Sequence, residues 1–249
     1  MQEKWILEVC ANSAQSAVNA MLAGAQRIEL CDNLQVGGTT PSVGCIKMAK
    51  KKVTLKINVL IRPRPGNFLY SDMEFQQIKY DILSAKELGA NGIVCGILLP
   101  DGSIDKHRAK ELVELSKPLP FTFHRAFDFT PDPFQALEDV IEIGAMRLLT
   151  SGQKERAVDS VELIGQLVKK ADGRITVMPG GGVNINTIRS IIKTGAKEFH
   201  MSGVQNVTRK MKHQNPAFGG QSMALCNYNH QYTSKESVEA VINFLNLNI

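Results

Sequence analysis

The stretch LAGAQRIELC, residues 22–31, closes a helix-like segment on Gly24 and runs at once into a β-rich sequence. A glycine just past a helix, followed directly by a strand, is the junction expected where a helix returns the chain to a sheet. The same punctuation recurs in LGANGIVCG (88–96), IGAMRLLTSG (143–152) and TGAKEFHMSG (194–203). Between these lie four further β-rich runs: WILEVC (5–10), LKINVLIRP (55–63), PFTFHRAF (120–127) and RITVMPGGG (174–182). Eight strands alternating with helical patterns such as SAQSAVNAMLAG (13–24) and INTIRSIIKTG (185–195) require right-handed crossovers and a parallel sheet. The Gly-Ala signals return about every 50 to 65 residues, so they mark the even strands of a fourfold (βα)₂ repeat.

Eight such units in 249 residues fit an α/β protein of one kind, a (β/α)₈ TIM-type barrel occupying residues 1–249 as a single domain. A doubly wound open sheet is the alternative. Against it, the first connection, EVCANSAQSA (8–17), lacks a dinucleotide-type glycine fingerprint. No Gly-, Pro- or Ser-rich linker divides the chain. Residues 203–233 are polar, poorly periodic and long for a loop, with a basic cluster of Arg209, Lys210, Lys212 and His213. They read as a lid or an oligomer contact.

A chain with 43% hydrophobic and 21% charged residues can bury a large core, and its net charge of +5 is mild. The densest basic run, Lys50 to Lys52, reads as a solvated helix end, which argues against a nucleic-acid partner. The start, MQEKWILEVCANS, has neither a basic leader nor a long apolar run, so no membrane association is expected. Five cysteines, an odd number, point to reduced thiols and a cytoplasmic location.

Alternate residues of a barrel strand face the lumen, and functional groups gather at the C-terminal rim. On that alternation Leu7, Val9, Ile28, Leu30, Ile57, Val59, Ile61, Phe121, Phe123, Phe199 and Met201 face the helices. Glu8, Cys10, Glu29, Cys31, Arg62, Thr122, His124, Glu198, His200 and Ser202 face inward. Buried charges need partners, so the carboxylates are expected to pair with Arg62, Arg125 or a ligand. Two outcomes are open: a self-satisfied ionic plug, or a site built from Glu8, Glu29, Arg62, His124, Arg125, Asp128 and His200. In a catalytic site Glu8 or Glu29 would be the base, His124 an acid or electrophile, and Arg62 and Arg125 anion clamps. The loops LTSGQ, MPGGGV and MSG add Ser151, Gly152, Gly180, Gly181, Gly182 and Ser202 as a cradle for a small anionic or phosphorylated ligand, or else as tight turns without one.

Cys10 and Cys31 end adjacent strands at equivalent places, and parallel neighbours lie about 4.8 Å apart, so their thiols can approach. Paired thiolates suit a soft ion such as Cu(I); two small buried hydrophobes are the alternative. Cys226 and His230, at helical spacing, form a weaker pair, and Cys45 and Cys95 read as core.

Taken together, LEVC (7–10), RIELCDN (27–33), GGTTPS (37–42), IRPRPGNFLYSD (61–72), TFHRAFD (122–128), LTSG (149–152), VMPGGG (177–182) and EFH (198–200) resemble the CutC family, proteins named for copper homeostasis. The resemblance runs in order from the first strand to the eighth and lapses between about Gly203 and the last helix. It implies a cytoplasmic TIM-type barrel, a homo-oligomer (dimer or tetramer), and a copper-handling role with Cu(I) held by the cysteines at positions 10 and 31. The competing expectation is an uncharacterised barrel enzyme acting on a small anionic metabolite.

Overall fold

The computed structural model describes residues 5–208 and 229–248. Eight parallel strands alternate with helices: β1 (Ile6–Ala11), α1 (Ala14–Leu22), β2 (Arg27–Leu30), α2 (Val43–Lys52), β3 (Lys56–Leu60), α3 (Asp72–Glu87), β4 (Gly92–Cys95), α4 (Lys106–Ser116), β5 (Phe121–Phe123), α5 (Pro133–Glu142), β6 (Arg147–Thr150), α6 (Val161–Ala171), β7 (Thr176–Pro179), α7 (Ile188–Ile191) and β8 (Glu198–Met201). A final helix, α8 (Lys235–Asn248), follows a two-stranded hairpin of β9 (Val204–Thr208) and β10 (Asn229–Thr233). The sheet runs β7-β6-β5-β4-β3-β2-β1-β8, and a single parallel bridge between Gly180 and His200 brings its two ends together. The expected TIM-type barrel is therefore present.

The Gly-Ala punctuation works through the backbone. Gly24, Gly89, Gly144 and Gly195 adopt φ of +88°, +82°, +85° and +80°, the left-handed region that favours glycine. At the first three, the glycine N–H returns to a carbonyl three residues back, and the alanine N–H to one five back: Ala25 to Ala20, Ala90 to Ala85, Ala145 to Val140. These paired bonds cap the helix and aim the chain into the next strand. The fourth junction differs. There α7 ends in a 3₁₀ turn (Ile192–Thr194), and the Ala196 N–H is taken by Thr194 Oγ1.

Helix starts are equally local: Ser13, Ser42, Asp105 and Asp132 cap α1, α2, α4 and α5, and Ser71 with Glu74 forms a reciprocal capping box on α3. Leu7, Val9, Ile28, Leu30, Ile57, Val59, Ile61, Phe121, Phe123, Phe199 and Met201 are all buried in one core, as the alternation predicts. Cys95 is buried and Cys45 half-buried against that core. Lys51 and Lys52 are exposed at the end of α2. No helix among the described residues is long and apolar enough to cross a membrane.

The late segment departs from expectation. Its two ends pair as antiparallel strands, Thr233 opposite Val204 and Asn229 opposite Thr208, so they are not loop. The hairpin base is moored to the first βα unit: the Thr233 N–H donates to Ser16 Oγ, and the Asn12 and Asn19 amides donate to the carbonyls of Gln231 and Thr233. His230 lies on β10, which removes the helical spacing expected with Cys226. Cys226 and the cluster Arg209, Lys210, Lys212 and His213 lie outside the described residues.

Candidate functional site

The lumen divides into two levels. In the lower one, register sets Glu8 beside Arg27 and His200. Arg27 Nε meets Glu8 Oε2 at 2.5 Å, and its Nη2 meets Glu198 Oε2 at 2.5 Å. Arg147 adds a second contact to Glu198 at 2.8 Å, and Asn58 Nδ2 donates to Glu8 at 2.9 Å. Asn58 has room because β4 presents Gly92 opposite it; a Cβ there would lie 2.2 Å from Asn58 Oδ1. Burial disfavours ionisation of Glu8, but the Arg27 and His200 charges outweigh it and hold the carboxyl down at about 2.

This corrects the expected pairing: the carboxylate partners are Arg27 and Arg147, and neither Arg62 nor Arg125 reaches Glu8 or Glu198. The reason is height along the barrel, since Arg62 and Arg125 follow their strands whereas Arg27 and Arg147 begin theirs. Arg27, Arg147 and Asn58 were missed, although extending the two-residue alternation back from Glu29 reaches Arg27.

The upper level is open. A cavity of about 410 Å³ at the C-terminal mouth is lined by Cys10, Glu29, Arg62, His124, Arg125 and His200 among others, with Gly181, Gly182 and Ser202 at its edge. Val204 and Gln231, from the late hairpin, reach it as well. At its floor Cys10 Sγ lies 3.6 Å from Cys31 Sγ and 3.7 Å from Glu29 Oε1. Cys31 is fully buried, and its side chain leaves little space beside Gly38, where a Cβ would lie 3.4 Å from its own. His200 Nδ1 lies 2.9 Å from Glu8 Oε1, which orients the ring. Cys10, Glu29 and His200 each offer a ligand atom within 4.8 Å of the others.

Charge balance at this floor is unusual. The bond to Cys31, added to burial and to Glu29, pushes the Cys10 thiol well up. Burial pushes the Glu29 carboxyl up to about 7, and its Oε2 has no hydrogen-bond partner among the described residues. His200 goes well above the ordinary imidazole value: burial opposes its charge, but Cys10, Glu8 and Glu29 outweigh it.

The remaining expected site residues separate. Arg125 and Asp128 form an ion pair (2.8 Å), but Asp128 is consumed, accepting from Thr150 Oγ1, Ser151 N and Oγ, and Gln153 N. It organises the loop after β6 and does not line the cavity. The Ser151 amide is spent on Asp128, that of Gly152 on Thr150 Oγ1, and that of Gly180 on the Thr150 carbonyl. Gly181 (φ +97°) and Gly182 (φ +70°) need no ligand to explain them, since a Cβ would meet Ser151 and the Glu155 carbonyl at 3.2 Å in one case and Arg156 at 3.1 Å in the other. Cys10, Glu29, Arg62, His124, Arg125 and His200 are brought together; Glu8 lies beneath them.

Comparison with known proteins decides the family. The CutC family model matches residues 5–205. The chain belongs to the CutC family. A CutC family protein of Parabacteroides distasonis is 50% identical over 242 residues, 96% of this chain and 100% of that one. The copper homeostasis protein cutC homolog of Mus musculus is 46% identical over 239 residues, 95% of this chain and 88% of its own. The crystal structure of CutC from Streptococcus agalactiae superposes with a TM-score of 0.75 at 37% identity, covering 80% of this chain and 98% of that one. Thiamine phosphate pyrophosphorylase from Pyrococcus furiosus has a TM-score of 0.60 at 13% identity, covering 98% of this chain and 97% of that one, and shares the fold alone. The CutC match thus spans all eight barrel strands and with them both levels of the lumen.

Proposed function

We propose that this chain binds Cu(I) as cargo in the cytoplasm, through Cys10 and Cys31 at the floor of the barrel cavity, and that it works as a homo-oligomer, dimer or tetramer. The observation that carries the reading is the 3.6 Å separation of the two thiols beneath an open cavity. They are too far apart for a disulfide, whose sulfurs lie about 2.05 Å apart, and near enough to share one ion. Soft sulfur donors select Cu(I) over harder ions. His200, held by Glu8 in a carboxylate–histidine arrangement, is near enough to add an imidazole nitrogen, and Glu29 offers a carboxylate oxygen to the same group.

Holding the ion requires deprotonation of the thiols and of His200 where it ligates, so binding releases protons and strengthens as the pH rises. Titration of Cu(I) against a competing chelator tests the assignment. Cys10→Ser and Cys31→Ser are each expected to weaken binding by roughly 100-fold or more, beyond the 10- to 100-fold typical of losing a supporting residue. Parental affinity in both variants would end the reading. Light scattering on the purified chain decides the oligomer.

A further inference from the structure

One corner of the cavity is not accounted for by the thiols. His124 stands at the end of β5 with its ring fixed from three sides. Nδ1 accepts the Ala126 N–H (3.2 Å), the ring packs at a tilt of 54° against Phe68 with centroids 4.8 Å apart, and Gly96 leaves the space the ring occupies. A Cβ on Gly96 would lie 2.6 Å from Nδ1. Because Nδ1 accepts, the ring hydrogen of the neutral imidazole sits on Nε2, and that buried atom has no hydrogen-bond partner among the described residues. A buried donor left unmade is costly, and here the ring cannot turn to find another acceptor.

Arg62 packs on the same aromatic, its Cζ 5.1 Å from the Phe68 centroid. The carbonyls of Val36, Gly38 and Gly66 hold its guanidinium, and among the described residues it meets no carboxylate. Three neutral acceptors fix the position of that charge without cancelling it. Burial and the Arg62 charge hold His124 down at about 3, so the ring stays a neutral donor at any physiological pH. Arg125, 40% exposed, adds a guanidinium at the rim. Glu29, at the cavity floor, is the sole carboxylate lining this space among the described residues.

We propose that this corner binds the oxyanion of a small organic molecule, a carboxylate or a phosphate group. Arg62 supplies the compensating charge, His124 Nε2–H donates a hydrogen bond, Arg125 covers the rim, and the apolar wall of Leu34 and Leu60 receives the carbon part. A cavity of about 410 Å³ falls in the range of small-molecule sites, with the expected mixture of apolar wall and a few convergent polar groups. The site needs neither thiol and stands whether or not copper binds below it.

The test uses the full, copper-free chain labelled with ¹⁵N-histidine, titrated at pH 7 with inorganic phosphate and, separately, with malonate. Saturable movement of the His124 Nε2 resonance is expected with at least one probe: phosphate alone marks a phosphorylated ligand, malonate alone a carboxylate, and both the shared chemistry. Thermal-shift titration of His124→Phe, which keeps the aromatic contact and loses the donor, is expected to show affinity for that probe reduced about 10-fold or more, as for a lost hydrogen bond to a charged group. Arg62→Gln should reduce it further; if its loop fails to fold, His124→Phe carries the test. The Cys10→Ser/Cys31→Ser chain should retain full probe binding, which separates this site from the copper reading. A resonance that neither probe moves, or parental affinity in the folded variants, overturns the proposal.

Discussion

The two levels of the lumen are built from the same residue types on neighbouring positions of the same strands, yet they end in opposite states. Below, Arg27, Glu8, Glu198, Arg147 and Asn58 exhaust one another in short ion pairs and hydrogen bonds. Above, Glu29 Oε2, Arg62 Nε and His124 Nε2 are buried without hydrogen-bond partners among the described residues, around an open cavity. A polar group that has found all its partners contributes to folding, whereas one that has not is an energetic debt a ligand can settle. Inward-facing charge in a barrel therefore does not by itself mark a site; unsatisfied inward-facing polarity does.

The strongest way to break the comparison is at the lower level. Arg27→Met leaves Glu8 and Glu198 short of their common partner in the interior, and uncompensated buried charge costs about 3–5 kcal/mol. Urea unfolding should report that loss, together with an unchanged Cu(I) affinity if the two levels are independent. A variant as stable as the parent would show that the network is not structural.

Acid should attack the same level. Because folding holds Glu8 at about 2, below the 4.5 of an ordinary glutamate, its contribution is full above about pH 4.5 and is lost as the pH falls toward 2. On the order of 3 kcal/mol should disappear across that window, since lowering a carboxyl's pKa by one corresponds to about 1.4 kcal/mol. Unfolding midpoints measured from pH 6 to pH 2 should fall steeply there, and a flat profile would contradict the pairing.

At the upper level, Gly96→Ala should sharpen the contrast. The added methyl would overlap the His124 ring at Nδ1, and overpacking of this kind costs about 1–3 kcal/mol. The Ala126 N–H to Nδ1 bond should be lost with it, visible as a moved His124 ring resonance. An unmoved resonance would mean the ring is not held by Gly96. The last expected effect has the opposite sign. Glu29 is raised to about 7, so it costs the folded chain stability as the pH climbs from 4.5 through 7. Glu29→Gln should gain up to about 3 kcal/mol at pH 8, by the same conversion as for Glu8, and nothing at pH 4, a difference that paired thermal melts can read. Equal effects at both pH values would place Glu29 in a solvated or paired environment instead.

Much of this molecule is written locally. The barrel was legible because each Gly-Ala signal acts within a few residues, through a left-handed glycine and, at the first three junctions, two backbone bonds, and needs no knowledge of the rest of the chain. The inward set was legible for the same reason, since alternation along a strand is a property of its own backbone, and it brought Cys10 and Cys31 to adjacent strand ends. The late segment was not legible as a hairpin, because the pairing of Val204 with Thr233 spans residues whose polar composition carries no strand alternation.

What only the tertiary structure decided is who pairs with whom. Arg27 takes Glu198 from 171 positions away, across the closed barrel, and so leaves Arg62 and Arg125 to the mouth. The order of residues cannot express that choice, because it depends on the height of each side chain along the barrel axis, set by register and strand tilt together. The same holds for Asp128, which looked like one of a catalytic trio and is spent on the amides and hydroxyls of the loop after β6. Sequence by itself determined the strands, their faces and the two thiols; the closed barrel decided which charges cancel and which stay unpaired, because satisfaction of a buried polar group is a matter of distance in space.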